Sequence, residues 1–248
     1  MPSPQLILDC YLEERPASLA VFLPPPGVPF EVVAAARGSM DAIPTSAAGF
    51  GSILITGSAA HLLDKPAWSE RLTALIQSAA DHTVPTFGVC FGHQLIAYAL
   101  FGETAVQRSP TPEYGWKDIE LCFDDAPLTR AVTQANALTS GSGTSFRCFT
   151  SHKDEVVPHF PGCEALRVTA RSATCAVEAF QHRTLPMTGI QFHPELPQTV
   201  CTDLLGLRTA QQPELGLDLA IELDRRTDTT ALWQALRATA FGAKRRAA

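Results

Sequence analysis

The 248-residue chain has no excess of basic side chains: 19 lysines and arginines stand against 25 acidic residues, for a formal charge of -6. A nucleic-acid binder needs a basic footprint, so that class is not expected. No apolar run reaches the roughly 18 residues of a membrane span, so no membrane partner is expected either. The first nine residues lack the basic start of a secretory leader. None of the seven cysteines (10, 90, 122, 148, 163, 175 and 201) pair as C-x-x-C, and their number is odd. That argues against a disulfide scaffold or a zinc site and for reduced thiols in the cytoplasm. Internal repeats and low-complexity blocks are also missing.

What is present describes a globular protein, with 46% hydrophobic and 18% charged residues. The length suits a single domain, 1–248, with a helical extension at about 200–248. Leu6–Leu8, Phe30–Val33, Ser52–Thr56 and Val84–Val89 are strand candidates. The run Ala20–Leu23 is broken by "PPPG" at 24–27. Residues 67–82 carry a helical period through Trp68, Leu72, Leu75, Ile76 and Ala79, and Gln94–Phe101 reads as a second helix. This alternation predicts an α/β fold with a mostly parallel central sheet. Further strands are expected at Trp116–Phe123, Cys148–Thr150, Ala165–Thr169, Ala176–Gln181 and Met187–Phe192, and helix again from Glu214 to Ala240.

One short stretch concentrates the chemistry. Gly88-Val89-Cys90-Phe91-Gly92 has the form G-x-C-x-G between a strand and a helix, the cysteine counterpart of a serine nucleophile elbow. A sharp turn strains the nucleophile's backbone, and the residues two before and two after must lack side chains because they crowd one another. The helix N-terminus then favours a thiolate. The N–H of Phe91 can face an oxyanion. The rival reading of Cys90 is an ordinary buried thiol. A base and its orienter stand together in "QFHPE", where His193 and Glu195 fall on one side at a strand end. Glu195 can accept from one imidazole nitrogen and leave the other for Cys90.

These segments together resemble the class I glutamine amidotransferase family: "GVCFGHQLIA" around the nucleophile and "GIQFHPE" around the base and acid. "SHKDEV" (Ser151–Val156) looks like the family's substrate-side loop, and "ITGS" (Ile55–Ser58) like its oxyanion loop. "EYGW" (Glu113–Trp116) matches the subgroup that resembles the glutaminase part of GMP synthase. The oxyanion loop departs from the family's glycine-rich type, reading "ITGSAAH" here. The resemblance implies a three-layer, flavodoxin-like sandwich with additional strands in the second half. It implies that Cys90 attacks the side-chain amide of glutamine, His193 shuttles protons and Glu195 holds His193. A γ-glutamyl thioester forms, ammonia leaves, and water completes hydrolysis. The N–H groups of Gly57 and Phe91 would bind the oxyanion, and Gln94 with the backbone near Ser151 and His152 would hold the glutamine head group. Gly57 could instead only end its strand, Gln94 only pack, His152 only organise its loop, and His93 only fill the start of its helix. No cofactor or metal is implied.

Two uses of this chemistry stand side by side. One is a glutaminase that feeds ammonia to a separate synthetase subunit, since the residues after Glu195 are too few for a synthetase domain. The other is a γ-glutamyl peptidase acting on γ-glutamyl amides such as glutathione conjugates. They differ in the space beyond Cys90. A third reading, a non-catalytic binding or regulatory protein on the same scaffold, is disfavoured by the presence of all three triad members.

Overall fold

The run Leu6-Ile7-Leu8 has no exposed surface at all, and its side chains divide between two cores. Leu6 and Leu8 enter one apolar cluster, and Ile7 enters the other. That is the period-two alternation of a strand covered on both faces. The computed structural model describes residues 3–123, 126–135, 144–213 and 216–241.

Nine strands form one sheet: β1 (Gln5–Asp9), β2 (Phe30–Ala34), β3 (Ser52–Ile55), β4 (Thr86–Val89), β5 (Val106–Leu121), β6 (Ser145–Val156), β7 (Leu166–Arg171), β8 (Ala179–His182) and β9 (Met187–Ile190). Their order is β2-β1-β3-β4-β9-β8-β7-β5-β6. The pairs from β2 through β9 are parallel, and those from β9 through β6 are antiparallel. The expected α/β sheet with extra strands in the second half is therefore present, with β9 as the hinge between its two halves.

Helices cover both faces. On one side lie α2 (Ala67–Asp81) and α3 (Phe91–Phe101), which bury Leu72, Leu75, Ile76, Leu95 and Ile96. On the other lie α1 (Pro16–Ala20), α4 (Pro127–Gln134) and α7 (Thr230–Phe241). The apolar run before "PPPG" packs under α7. Phe22 meets the Trp233 ring edge-on at 5.2 Å, and Trp233 Nε1 donates to the Val21 carbonyl at 2.9 Å.

The sequence expectation fell short in several places; α1 and α4 were not anticipated. β5 starts at Val106, not Trp116, because "SPTP" (Ser109–Pro112) reads as a break; prolines cannot donate to a ladder. The structure accommodates them in a register shift between Arg108 and Glu113. Ser151–Val156, expected as a loop, is the second half of β6. The final helical region begins earlier than expected, as α5 (Gln198–Gln211), followed by α6 (Leu219–Asp224) and α7. Glu214 and the closing "KRR" lie outside the described residues. α6 is tied to the sheet at "EYGW", where Glu222 accepts from the Trp116 N–H at 2.9 Å. Among the described residues no helix is long and apolar enough to cross a membrane.

Candidate active site

β4 ends at Val89, α3 starts at Phe91, and Cys90 forms the whole turn between them with φ 51° and ψ -102°. A non-glycine residue in this region is strained and persists only where its surroundings over-determine it. Here the Cys90 N–H donates to the Ile190 carbonyl at 2.8 Å, and its own carbonyl accepts from Gln94 N–H at 3.1 Å. The flanking glycines are required, with one refinement. A Cβ on Gly88 would lie 2.3 Å from the backbone carbonyl of Gly92, as the elbow geometry predicts. A Cβ on Gly92 would instead strike Ile55 of β3, 2.7 Å from its carbonyl oxygen. The second glycine is set by the neighbouring strand rather than by the first.

The structure brings Cys90, His193 and Glu195 together. His193 Nδ1 lies 2.7 Å from Glu195 Oε1, and both residues are buried. Their common orientation does not come from strand alternation, since β9 ends at Ile190. It comes from the turn that follows, pinned where His193 N–H donates to the Phe149 carbonyl of β6 at 2.8 Å. Burial alone would push the imidazole pKa down. The Glu195 charge, the Cys90 charge and a hydrogen bond donated to each outweigh that and hold it well above the ordinary range. Gly57 closes the arrangement from β3's side: a Cβ there would stand 3.1 Å from His193 Cε1 and 3.6 Å from Cys90 Cβ. The Phe91 ring packs into the core 5.1 Å from Trp68, leaving only its backbone for the site.

Two clefts border the site and share Ser58, Ala59, Ser151 and Arg208; Cys90 lines the smaller and His193 the larger. The smaller, about 60 Å³, is lined by Cys90, Gln94, Ser151, His152, Asp154 and His61 among others. Cys90 Sγ lies 3.9 Å from the Ser151 carbonyl oxygen. Gln94 Nε2 already donates to the Asp154 carbonyl at 2.7 Å and to Gln191 Oε1 at 3.0 Å. That engages both amide hydrogens, so toward a ligand Gln94 offers its Oε1 as acceptor. The His152 ring points at its own strand, with Nδ1 3.1 Å from the Asp154 carbonyl and Nε2 3.5 Å from Glu113 Oε2. This favours the organising reading of His152 over a spare base. His93 is fully buried against Phe180, and burial lowers its pKa to about 3, which fits packing and not proton transfer. The larger cleft, about 260 Å³, opens on Gly57, Ser151 and His193.

Sequence reasoning missed a buried acid pair beneath β6. Glu113 accepts from the Ser172 and Thr174 hydroxyls, and Glu178 is fully buried beside it. Burial alone would raise the Glu113 pKa, but hydrogen bonds from His152, Glu178, Ser172 and Thr174 bring it to about 2. Burial, then the Glu113 charge, push Glu178 far above the carboxylate range, so the pair holds one proton. "EYGW" signalled Glu113, whereas nothing local marked Glu178. His152, Cys175 and Glu178 have donor atoms within 4.8 Å of one another and could geometrically hold a metal ion. Burial raises the pKa of both Cys175 and Glu178.

The acid pair sets a stability signature. Above the ordinary carboxylate pKa the unfolded chain loses both protons and the folded pair keeps one, so folding stability falls as pH rises until Glu178 ionises. Between that ordinary pKa and the lowered Glu113 value the sign reverses, and stability falls as the solution is acidified. Glu178→Gln mimics the protonated form. Its stability relative to wild type should therefore climb as pH rises above the ordinary carboxylate range, by up to about 1.4 kcal/mol per pH unit while Glu178 keeps its proton. Urea midpoints measured over that rise in pH check this, and a pH-independent difference would refute the shared proton.

The sequence of residues 27–204 matches the family described as "Glutamine amidotransferase class-I". The chain is 37% identical over 127 residues to one subunit of the glutamine-hydrolysing GMP synthase of Thermococcus kodakarensis, covering 51% of this chain and 59% of that protein. It is 38% identical over 133 residues to the corresponding GMP synthase subunit of Methanocaldococcus jannaschii, covering 52% and 61%. The match thus spans about three fifths of the length of these curated relatives. The fold is shared with a crystal structure of a glutamine amidotransferase from Thermotoga maritima, with TM-score 0.69 and 14% identity over 96% of this chain and 98% of that one. A glutamine amido transferase from Methylobacillus flagellatus superposes with TM-score 0.69 and 23% identity, over 98% and 94%. With the family pattern spanning well over half its length, the chain belongs to the class I glutamine amidotransferases.

Proposed function

We propose that the chain hydrolyses the side-chain amide of glutamine through a Cys90 thioester and supplies the ammonia to a separate synthetase subunit. The observation that carries this reading is the meeting of a strained cysteine at a helix N-terminus with a buried imidazole–carboxylate pair. The relatives named as glutamine-hydrolysing GMP synthase subunits support the synthetase partner. The raised imidazole pKa makes His193 a ready acceptor for the Cys90 proton as attack begins. The thiolate attacks the amide carbon, and the N–H groups of Gly57 and Phe91 face the developing oxyanion. His193 gives its proton to the departing nitrogen, the C–N bond breaks and ammonia leaves. His193 then takes a proton from water, which attacks the thioester, releases glutamate and restores the thiol. Gln94 Oε1 and the Ser151–His152 backbone hold the amino-acid end of the substrate in the smaller cleft. Residues 1–248 act as one unit in this reading, with α5 walling the larger cleft. The seven free cysteines fit a reducing compartment such as the cytoplasm.

The test is glutamate release from glutamine by the purified chain, alone and with a synthetase partner, together with mass spectrometry after exposure to a glutamine-mimicking electrophile. Glutamine hydrolysis and a single adduct on Cys90 are expected. An adduct on a different cysteine, or hydrolysis insensitive to the electrophile, would overturn the assignment. Glu195→Gln should cost less than loss of the nucleophile, about 10²-fold at most, because the amide keeps a hydrogen bond but no longer stabilises the imidazolium. Its alkaline limb should move to lower pH, since the carboxylate is the main charge holding the His193 proton. An unmoved limb in the pH–rate profile would count against that role.

A further inference from the structure

Four donor side chains from separate parts of the chain converge beneath β6. Glu113 on β5 and His152 on β6 are register partners across the ladder. Cys175 and Glu178 come from the turn between β7 and β8. All four are buried, none more than 4% exposed. His152 Nδ1 lies 3.1 Å from the Asp154 carbonyl, which can only accept, so in the neutral ring Nδ1 carries the proton and Nε2 a lone pair. Nε2 stands 3.5 Å from Glu113 Oε2. A lone pair and a carboxylate oxygen repel at that distance unless a proton or a metal cation lies between them. Among the described residues His152 Nε2, Glu113 Oε2 and both Glu178 oxygens have no hydrogen-bond partner. The proton shared by the acid pair serves one oxygen of each carboxylate and leaves Nε2 and the second Glu178 oxygen bare. Buried polar atoms without partners are costly.

We propose that Glu113, His152, Cys175 and Glu178 form a structural zinc site that clamps the turn between β7 and β8 to the β5–β6 pair, next to Ser151. One imidazole, one thiolate and two carboxylates are a donor set suited to tetrahedral zinc. Ligand atoms around such an ion lie about 3.3–3.8 Å apart, from bonds of about 2.0–2.3 Å. The spacing of His152 Nε2 and Glu113 Oε2 already fits. The donor atoms of His152, Cys175 and Glu178 lie within 4.8 Å of one another and close by at most about 1.5 Å. The supporting hydrogen bonds are also in place. Glu113 Oε1 accepts from the Ser172 and Thr174 hydroxyls, and His152 Nδ1 donates to a backbone carbonyl, as metal-binding carboxylates and imidazoles require. His152 lines the smaller cleft, which gives an ion its way in. With four protein donors the ion has no open position, so it holds the turn in place and takes no part in the chemistry at Cys90. To ligate, Cys175 and Glu178 release their protons to solvent; the one-proton acid pair described above is the metal-free form. No C-x-x-C spacing announces the site, because its donors stand at positions 113, 152, 175 and 178.

The experiment titrates the full chain, reduced and stripped with a chelator, with Zn²⁺ and separately with Co²⁺. One zinc ion per chain is expected, with release of protons and a rise in melting temperature. The cobalt form should show the visible bands of a tetrahedral ion and a thiolate-to-cobalt charge-transfer band. Thr174→Val removes only a hydrogen bond to Glu113 and should weaken zinc binding by about 10–100-fold. Cys175→Ser, close in size, should weaken it further and abolish the charge-transfer band, while Cys90→Ser should change neither. No stoichiometric uptake, a cobalt spectrum without thiolate charge transfer, or an affinity unmoved by Cys175→Ser would overturn the proposal. Binding lost in Cys90→Ser would overturn it too, by placing the ion on Cys90 and His193.

Discussion

Cys90→Ser is expected to lower glutamine turnover by at least about two orders of magnitude, the scale of losing one member of a catalytic triad. Sulfur and oxygen occupy nearly the same place, so the backbone turn at φ 51° is retained. The ionisation is not. A thiol gives up its proton to a neighbouring imidazole far more readily than a serine hydroxyl does. The positive end of α3 helps an anion that already exists and does little for a neutral hydroxyl. The loss should therefore fall on kcat, with KM little changed, because the Gln94, Ser151 and His152 contacts of the smaller cleft remain in place. Stopped-assay glutamate release over a range of glutamine concentrations reads both constants. A serine variant within tenfold of wild type would mean that another group performs the attack.

That so much of this centre is legible in the sequence has a local cause. The G-x-C-x-G turn and the "FHPE" segment each place their own side chains through two or three bonds of backbone, and spacing records that. β1, β3 and β4 are equally plain, because a fully buried parallel strand must be apolar on both faces, and the edge strand β2 is marked by its β-branched and aromatic run although Phe30 and Val32 are exposed. What spacing does not record is partnership across the sheet. Ser151–Val156 was expected as a loop from its resemblance to the family's substrate-side loop, yet it is strand, and its Asp154 and Glu155 are buried. Arg108 compensates Asp154 at 2.8 Å, and Ser109 and Gln107 each donate to Glu155 at 2.7 Å. All three donors come from the part of β5 that "SPTP" concealed. Glu178 is hidden for the same reason, since its one proton is shared with a residue 65 positions earlier, Glu113. His61 showed no signal, yet it reaches the smaller cleft with Nδ1 3.3 Å from Asp154 Oδ2. Arg208 sits on a helix with no motif, and only folding brings it to the mouth of the site.

Gly88→Ala should be the most damaging single-methyl change in the molecule's first hundred residues. The new carbon would stand 2.3 Å from both the carbonyl carbon and the oxygen of Gly92, and 2.7 Å from the His93 nitrogen. All three are backbone atoms in the first turn of α3, so no side-chain rotation relieves the contact. Nor can β4 retreat, because Gly88 is paired with Ile55 on one side and Gly189 on the other. Something in the elbow must open. Overpacking of this kind costs about 3 kcal/mol or more, which for a chain of this size lowers Tm by about 6–12 °C. Opening the elbow also moves Cys90 relative to His193, and a displacement of about 1 Å at a reacting atom is worth roughly 10²-fold in rate. Gly206→Ala supplies the contrast. It lies within α5, a Cβ there meets nothing within 4 Å, and alanine improves helix propensity by about 0.5–1 kcal/mol. Thermal melts and glutaminase assays on the two variants should therefore diverge in both readouts. If Gly88→Ala melts within about 2 °C of wild type and keeps its activity, the strained turn is not what holds the thiol in place.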